Sequence, residues 1–178
     1  MDDSRYLTSG AILDASPLIY LAKLDALGVL PAAIKTAFVT PTVLEEVTRP
    51  QVAYRHPDAV EIERAVVRGL IEVSTLTDAE RESASGIVAH VPGLHPGETE
   101  VLSVAISRAI PAVIFERRAR RVAASLGADL IDVTELIVAG TSDRALREER
   151  IVRFAGMVNM RLDHAVALMT RIRSDRMG

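Results

Sequence analysis

Four acidic residues stand where a folded chain could bring them together. Asp14 and Glu116 each follow a short apolar run, and Glu46 and Glu98 lie near the starts of predicted helices. In an open parallel sheet, ligands bind outside the carboxyl ends of the strands. Carboxylates gathered there repel one another unless a cation lies between them, and an all-oxygen set suits Mg²⁺ or Mn²⁺. The sequence therefore predicts an acidic metal site at one edge of a sheet.

The elements that position these acids follow from apolar runs that alternate with helical patterns. Five runs predict strands, at residues 11–13, 37–39, 71–75, 112–115 and 130–133. Patterns of period 3.6 between them predict helices, and Ser16 before Pro17 is typical of a helix N-cap. Such alternation predicts an α/β fold, with a mostly parallel sheet of about five strands covered by helices on both faces.

Four segments resemble, in order and spacing, the four motifs of PIN-domain nucleases, over roughly residues 10–133. The first is a hydrophobic strand that ends in Asp-x-Ser, and in the second a strand and a proline lead to a glutamate on a helix. The third is a Gly-Glu-x-Glu variant, and in the fourth a strand delivers an acid just before Arg-x-Ala-Arg. These segments are residues 12–19, 41–47, 94–101 and 112–123.

The resemblance implies a PIN-like three-layer α/β/α fold and a metal-dependent ribonuclease that hydrolyses the phosphodiester bonds of RNA. It assigns Asp14, Glu46, Glu98 and Glu116 as the catalytic residues, which bind one or two Mg²⁺ or Mn²⁺ ions. It assigns Ser16 to support of that site through hydrogen bonding. Ser16 is equally well explained as an N-cap, and the two roles are compatible.

The third motif offers two glutamates, Glu98 and Glu100, which lie on different faces of one helix, so only one of them points at the metals. We prefer Glu98, because Ala105, seven residues later, occupies the place of a small packing residue in the family's pattern. Glu100 is the alternative ligand.

The fourth motif departs from the family, in which paired aspartates often end the strand. Here the corresponding residues are Phe115 and Glu116. A glutamate can bind a metal, but its extra methylene displaces the carboxylate, and metal catalysis is sensitive to such displacements. A second hypothesis is therefore a catalytically degenerate PIN domain that binds RNA or protein without turnover.

The composition excludes several other classes of site. The chain has no cysteine, so disulfide frameworks, thiolate zinc sites, iron–sulfur clusters and cysteine nucleophiles are ruled out. It contains no Gly-x-x-x-x-Gly-Lys motif, which excludes a P-loop nucleotide site. The four histidines have no metal-ligand spacing with one another, and we expect them at the surface.

The net charge of −3 hides an asymmetry: residues 1–116 carry −7 and residues 117–178 carry +4. Only two of the 21 basic residues are lysines, and guanidinium groups suit paired contacts with phosphate. An arginine cluster follows the fourth predicted strand, and it either flanks the acidic edge or forms a solvated helix face. From this cluster we take Arg117, Arg120 and Arg121 as candidate substrate contacts.

The length of 178 residues predicts a single PIN-like domain over residues 1–178, with a helical, arginine-rich part over 134–178. Apolar runs stay well below the ~20 residues that a membrane helix needs, so we expect a cytoplasmic protein without a membrane partner. Many compact PIN relatives are toxins of toxin–antitoxin pairs and form dimers. The resemblance therefore implies RNA, an antitoxin protein and a second copy of the chain as partners.

Overall fold

The computed structural model describes residues 10–49 and 56–160. Three segments lie outside the described residues: 1–9, 50–55 and 161–178. The histidine at position 164 and the end of the arginine-rich part predicted over 134–178 therefore fall outside the described residues.

The sheet of the described chain has four strands, all parallel, in the order β3-β2-β1-β4. The strands are β1 (Ala11–Leu13), β2 (Ala37–Val39), β3 (Glu72–Val73) and β4 (Ala112–Val113). Ile12 of β1 pairs with Phe38 on one side and with Ala112 on the other, which makes β1 a central strand. All three residues of β1 are fully buried, as expected for a continuous apolar run in a parallel sheet covered on both faces.

The prediction of a fifth strand at 130–133 is wrong. Leu130 forms only an isolated parallel bridge to Ala112, although the amide of Ile131 still donates to the carbonyl of Ala112 over 3.0 Å. The next helix begins at Val133, because the carboxylate of Glu135 accepts from the Asp132 amide in a capping box. Helix initiation thus leaves only two residues for pairing with β4.

Nine α-helices and one 3₁₀ helix surround the sheet among the described residues, in a three-layer α/β/α arrangement. The α-helices are α1 (Ala15–Lys23), α2 (Leu30–Ala33), α3 (Pro41–Thr48), α4 (Pro57–Val67), α5 (Asp78–His90), α6 (Pro96–Arg108), α7 (Arg117–Ser125), α8 (Val133–Gly140) and α9 (Arg144–Met157). The 3₁₀ helix Leu27–Val29 precedes α2. Proline occupies the first position of α3, α4 and α6, where its missing N–H costs nothing.

The predicted N-cap at Ser16 is wrong, since α1 begins directly after Asp14 rather than after Ser16. Asp14 has the extended N-cap conformation, and Ala15 is the first helical residue. Helix α1 buries Leu18, Leu21 and Ala22 in the core. Asp14 is therefore both the end of β1 and the start of α1, which fixes its backbone from both sides.

Two arginines of α9 hold that helix against the C-terminal end of α1, and a third bonds to the chain after α8. Arg153 donates to the carbonyl of Lys23 over 2.9 Å, and Arg150 donates to the carbonyl of Asp25 over 2.6 Å. Arg147 is buried and donates twice to the carbonyl of Thr141. Guanidinium groups satisfy carbonyls that a helix end leaves unpaired. Much of the positive charge after residue 117 is thus structural, which the sequence analysis did not anticipate.

In the described chain no single helix combines the length and the apolar character needed to cross a membrane. Helix α1 and the segment Leu27–Ala33 reach that length and composition only as a pair bent by 106°.

Candidate metal centre

The candidate site lies at the carboxyl ends of β1, β2 and β4, which we call the site edge. Helices α1, α3 and α7 each begin within four residues of the end of one of these strands. The start of α6 reaches the same place, because Gly97 lies beside the carboxylates of Asp14 and Glu46. The positive ends of these helix dipoles therefore favour negative charge at the site edge.

Asp14 is a buried acid of the site edge, with 5% of its surface exposed. Its amide donates to the carbonyl of Val113 over 3.0 Å, which ties the end of β1 to β4. The pKa of its carboxyl is raised to about 6, first by burial and then by the neighbouring charges of Glu98 and Glu46. The Ala15 amide and His95 act in the opposite direction.

Gly97 lets the carboxylates approach the start of α6. A Cβ at Gly97 would lie 3.4 Å from Oε2 of Glu46 and 4.0 Å from Oδ1 of Asp14. It would also press on Val43 at 3.1 Å. The absence of a side chain at this position therefore keeps a gap between two acids that come from different strand ends.

Glu98 and Glu100 point to different partners, as their spacing on a helix predicts. Glu98 is buried, accepts from the His95 amide over 2.7 Å and acts electrostatically on Asp14. Glu100 accepts from the hydroxyl of Thr42 over 2.7 Å, and its second oxygen is buried without a hydrogen-bond partner. Glu98 is thus the glutamate that shares the neighbourhood of Asp14, while Glu100 faces α3.

The structure places Glu116 at the site edge but gives its carboxylate another partner. Its Oε2 accepts from the Ala119 amide over 2.8 Å, so that Glu116 is the N-cap of α7. Ser16, in the first turn of α1, is half-buried, and its hydroxyl has no hydrogen-bond partner among the described residues.

The three candidate substrate arginines of α7 have different surroundings. Arg120 donates to the carbonyl of Ile114 over 2.9 Å and pairs with Asp132 at 2.8 Å. Arg117 and Arg121 are exposed, lie one turn apart and form no ion pair with the described part of the chain. Arg120 therefore anchors the helix, and two guanidinium groups are left to face solvent.

A cation suits the chemistry of this edge. Asp14, Glu46 and Glu98 offer only oxygen atoms, which Mg²⁺ and Mn²⁺ prefer. Burial and repulsion together raise the pKa of Asp14, and a cation would offset both. Over residues 10–49 and 56–160, no three Asp, Glu or His side chains are already arranged as a coordination shell. The residues thus fit a divalent ion by donor type and charge, and binding requires their side chains to converge.

Comparison with protein-family models decides the family. A family described as a PIN domain matches residues 10–162. The chain belongs to the PIN-domain family. PIN domains are generally nucleases and typically use divalent metal ions, in agreement with the acidic edge of this one. No curated protein matches the chain.

Three residues of this PIN domain escaped the sequence analysis. Gly97 lets the carboxylates of Asp14 and Glu46 approach the start of α6, His95 lies within electrostatic range of Asp14, and Thr42 holds Glu100. The sequence carries a signal for His95 and Gly97, because residues 95–98 are His-Pro-Gly-Glu. Pro-Gly before an acid indicates the start of a helix. Thr42 has no such signal, since its partner lies 58 residues away.

The raised pKa of Asp14 predicts how the stability of the metal-free PIN domain depends on pH. The carboxyl titrates near 3.8 when exposed and at about 6 when folded. The folded state therefore binds the proton more tightly, and its free energy of unfolding falls as pH rises from 3.8 to about 6. The loss amounts to about 3 kcal/mol.

Urea unfolding in EDTA between pH 4 and pH 7.5 measures this effect in the wild type and in Asp14→Asn. The wild type should lose stability relative to the variant up to about pH 6 and then run parallel to it. The exposed Asp129→Asn provides the control. Parallel curves for wild type and Asp14→Asn at every pH would contradict the prediction.

Proposed function

We propose that this PIN domain is a metal-dependent endoribonuclease that hydrolyses RNA phosphodiester bonds. One observation carries the proposal: the fold brings the carboxylates of Asp14, Glu46 and Glu98 from three separate segments to one edge of the sheet. Asp14 is buried and repelled by its two neighbours, an arrangement that disfavours the fold unless a cation or a proton compensates it.

Asp14, Glu46 and Glu98 are the residues that would hold Mg²⁺ or Mn²⁺. When bound, the ion supplies an activated water and neutralises the charge that develops on the leaving oxygen. Glu98 is held in place by the His95 amide, and Asp14 by the backbone of β1 and α1. The starts of α1, α3 and α6 direct their positive ends at the site edge, where they favour a bound phosphate.

Recognition of RNA should depend on the backbone rather than on base stacking. Aromatic residues make up 3% of the chain. Tyr20, Phe115 and Phe154 pack edge-to-face on one another, with ring centroids 5.0 to 6.0 Å apart. These rings therefore pack on one another and against the core, and the exposed guanidinium groups of Arg117 and Arg121 are the better candidates for phosphate contacts.

The test is cleavage of end-labelled RNAs, single-stranded and hairpin, by the purified full chain. We expect cleavage with Mg²⁺ or Mn²⁺, none in EDTA, and recovery when excess Mn²⁺ is added back. Mapping both RNA ends on denaturing gels distinguishes internal cuts from shortening at an end. Cleavage that persists in EDTA would refute the metal-dependent mechanism.

A degenerate PIN domain that binds without turnover is the second candidate. Two observations favour it: Glu116 is engaged as a helix cap, and no complete coordination shell is present among the described residues. It predicts that the protein binds labelled RNA and shifts its mobility, but cleaves none of it with any metal ion. The toxin role, an antitoxin partner and a homodimer are proposals that rest on the family resemblance, and a cytoplasmic location is a proposal that rests on the composition of the chain.

A further inference from the structure

Glu116 follows β4, the strand next to β1, and so reaches the same edge as Asp14. Leu13 of β1 pairs with Val113 of β4, which puts Glu116 only three residues beyond the last paired position. Its carboxylate nevertheless accepts from the Ala119 amide over 2.8 Å, and its backbone has the extended conformation of an N-cap. The acid expected as a fourth metal ligand is thus engaged in starting α7.

The chain just before Glu116 is fixed by aromatic packing. The ring of Phe115 contacts those of Tyr20 from α1 and Phe154 from α9, with centroids 5.0 and 6.0 Å away. Edge-to-face pairs of this kind stabilise a defined ring orientation. Phe115 therefore packs against the core, and the backbone that carries Glu116 has little freedom to swing its carboxylate to another position.

Helix α7 is also fixed by two of its own arginines. Arg120 pairs with Asp132 and donates to the carbonyl of Ile114. Arg118 donates to the carbonyl of Pro92 and packs so closely on Gly93 that a Cβ there would meet its guanidinium group. Ala119 and Ala123 are buried and pack α7 against the core.

The remaining two arginines of α7 face solvent beside the site edge. Arg117 and Arg121 are exposed and share a helix face, since they lie four residues apart. Arg117 is the first residue of α7 and follows Glu116 directly. Whatever fixes the first turn of this helix therefore also fixes the helix face from which these two side chains project.

We propose that Glu116 serves this chain as the N-cap of α7 and not as a metal ligand, and that through α7 it positions Arg117 and Arg121 as contacts for RNA phosphates. The inference about RNA rests on the proposed function. Glu116 is thus a positioning residue, and the metal is held by acids from the other three motifs.

Two substitutions separate capping from metal binding. Glu116→Ser removes the carboxylate but keeps an oxygen that can cap a helix, whereas Glu116→Ala removes both. Glu46→Gln is the comparison for a true ligand. Mn²⁺ affinity is measured by the EPR signal of free Mn²⁺. The midpoint of thermal unfolding is measured by circular dichroism. RNA affinity is measured in EDTA by the fluorescence anisotropy of a labelled 20-nucleotide single strand.

We expect both Glu116 variants to bind Mn²⁺ within twofold of the wild type, while Glu46→Gln loses about tenfold or more, by analogy with losses seen around metal ligands. Glu116→Ala should lower the unfolding midpoint and weaken RNA binding several-fold. Glu116→Ser should restore both. Arg117→Gln with Arg121→Gln should weaken RNA binding and reduce the salt slope by about 0.7 for each lost contact.

Loss of Mn²⁺ affinity in Glu116→Ser, equal to that in Glu46→Gln, would overturn the proposal. Equal unfolding midpoints for the Ala and Ser variants would overturn the capping role. RNA binding that is unchanged in the double arginine variant would overturn the phosphate contacts. If the wild type binds neither Mn²⁺ nor RNA, the proposed function fails, and the comparison of the Ala and Ser midpoints still decides whether Glu116 caps α7.

Discussion

Asp14→Asn is expected to reduce metal-dependent RNA hydrolysis by at least about 10³-fold, because metal catalysis contributes several kcal/mol and each 1.4 kcal/mol is tenfold in rate. Asp14 is the central acid of the site edge: it is 5% exposed, and the charges of both Glu98 and Glu46 act on it. An asparagine of the same shape removes the negative charge that a divalent ion requires. Cleavage rates at saturating Mn²⁺ measure the loss.

The same substitution should not weaken the fold, which distinguishes loss of chemistry from loss of structure. The pKa of Asp14 is raised to about 6, so above that pH its burial as a charged group opposes folding. Asp14→Asn should therefore unfold at an equal or higher urea concentration than the metal-free wild type at pH 7. Added Mn²⁺ should stabilise the wild type and leave the variant unchanged.

Asp129→Asn is the control for this experiment, because Asp129 is exposed and lies in the segment before the bridge at Leu130. It should cleave RNA at the wild-type rate. An Asp14→Asn protein that cleaves RNA within tenfold of the wild type would show that the site lies elsewhere, whatever its stability.

The strands and the helix starts at the site edge were predictable because they depend on local physics. A continuous apolar run can only be a strand buried on both faces or part of a buried helix, and the polar residue after it marks its end. Asp14 after 11–13 and Thr40 after 37–39 follow this rule, and proline at the start of α3 and α6 confirms where the helices begin.

The errors arose where two local preferences compete for the same residues. At 130–133 the apolar run favours a strand, but the capping box of Asp132 and Glu135 starts a helix first. At Ser16, Ser-Pro is typical of an N-cap, but Asp14 ends the strand and takes the N-cap position itself. Periodicity cannot rank such competing signals, because each is correct for its own segment.

The bonding partner of a side chain could not be predicted where that partner is distant in sequence. A run of arginines after residue 117 resembles a phosphate-binding surface. In the structure Arg150 bonds to a carbonyl 125 residues away, and Arg153 to one 130 residues away. Glu116 is the opposite case. Its partner, the Ala119 amide, is only three residues away, but the family resemblance assigns Glu116 as a metal ligand.

Arg108→Met is expected to lower the free energy of unfolding by about 3 kcal/mol, because removal of one partner leaves a buried charge uncompensated. Arg108 ends α6 and binds both oxygens of Glu80 on α5, at 2.7 and 2.9 Å. It also donates to Ser74 and Thr75 after β3. Glu80 is 2% exposed, and its hydrogen bonds with Arg108 lower its pKa to about 2. One side chain therefore joins two helices to the sheet edge.

Arg81→Met is the matched control, since Arg81 pairs with Asp78 on the same helix α5 but at the surface. Exposed pairs contribute about 0.2–1 kcal/mol, so this variant should unfold almost as the wild type does. Urea unfolding at pH 7 compares the two. Equal effects of Arg108→Met and Arg81→Met would show that the Glu80 pair behaves as a surface pair.

Two further measurements identify the buried charge as the cause of the loss. The second substitution Glu80→Gln in Arg108→Met removes that charge and should recover part of the stability, whereas loss of packing alone would add a further cost. Since the pKa of Glu80 is lowered from 4.5 to about 2, its contribution is present above pH 4.5 and is lost as pH falls toward 2. The difference between wild type and Arg108→Met should therefore shrink over that range, because protonation of Glu80 removes the charge that Arg108 compensates.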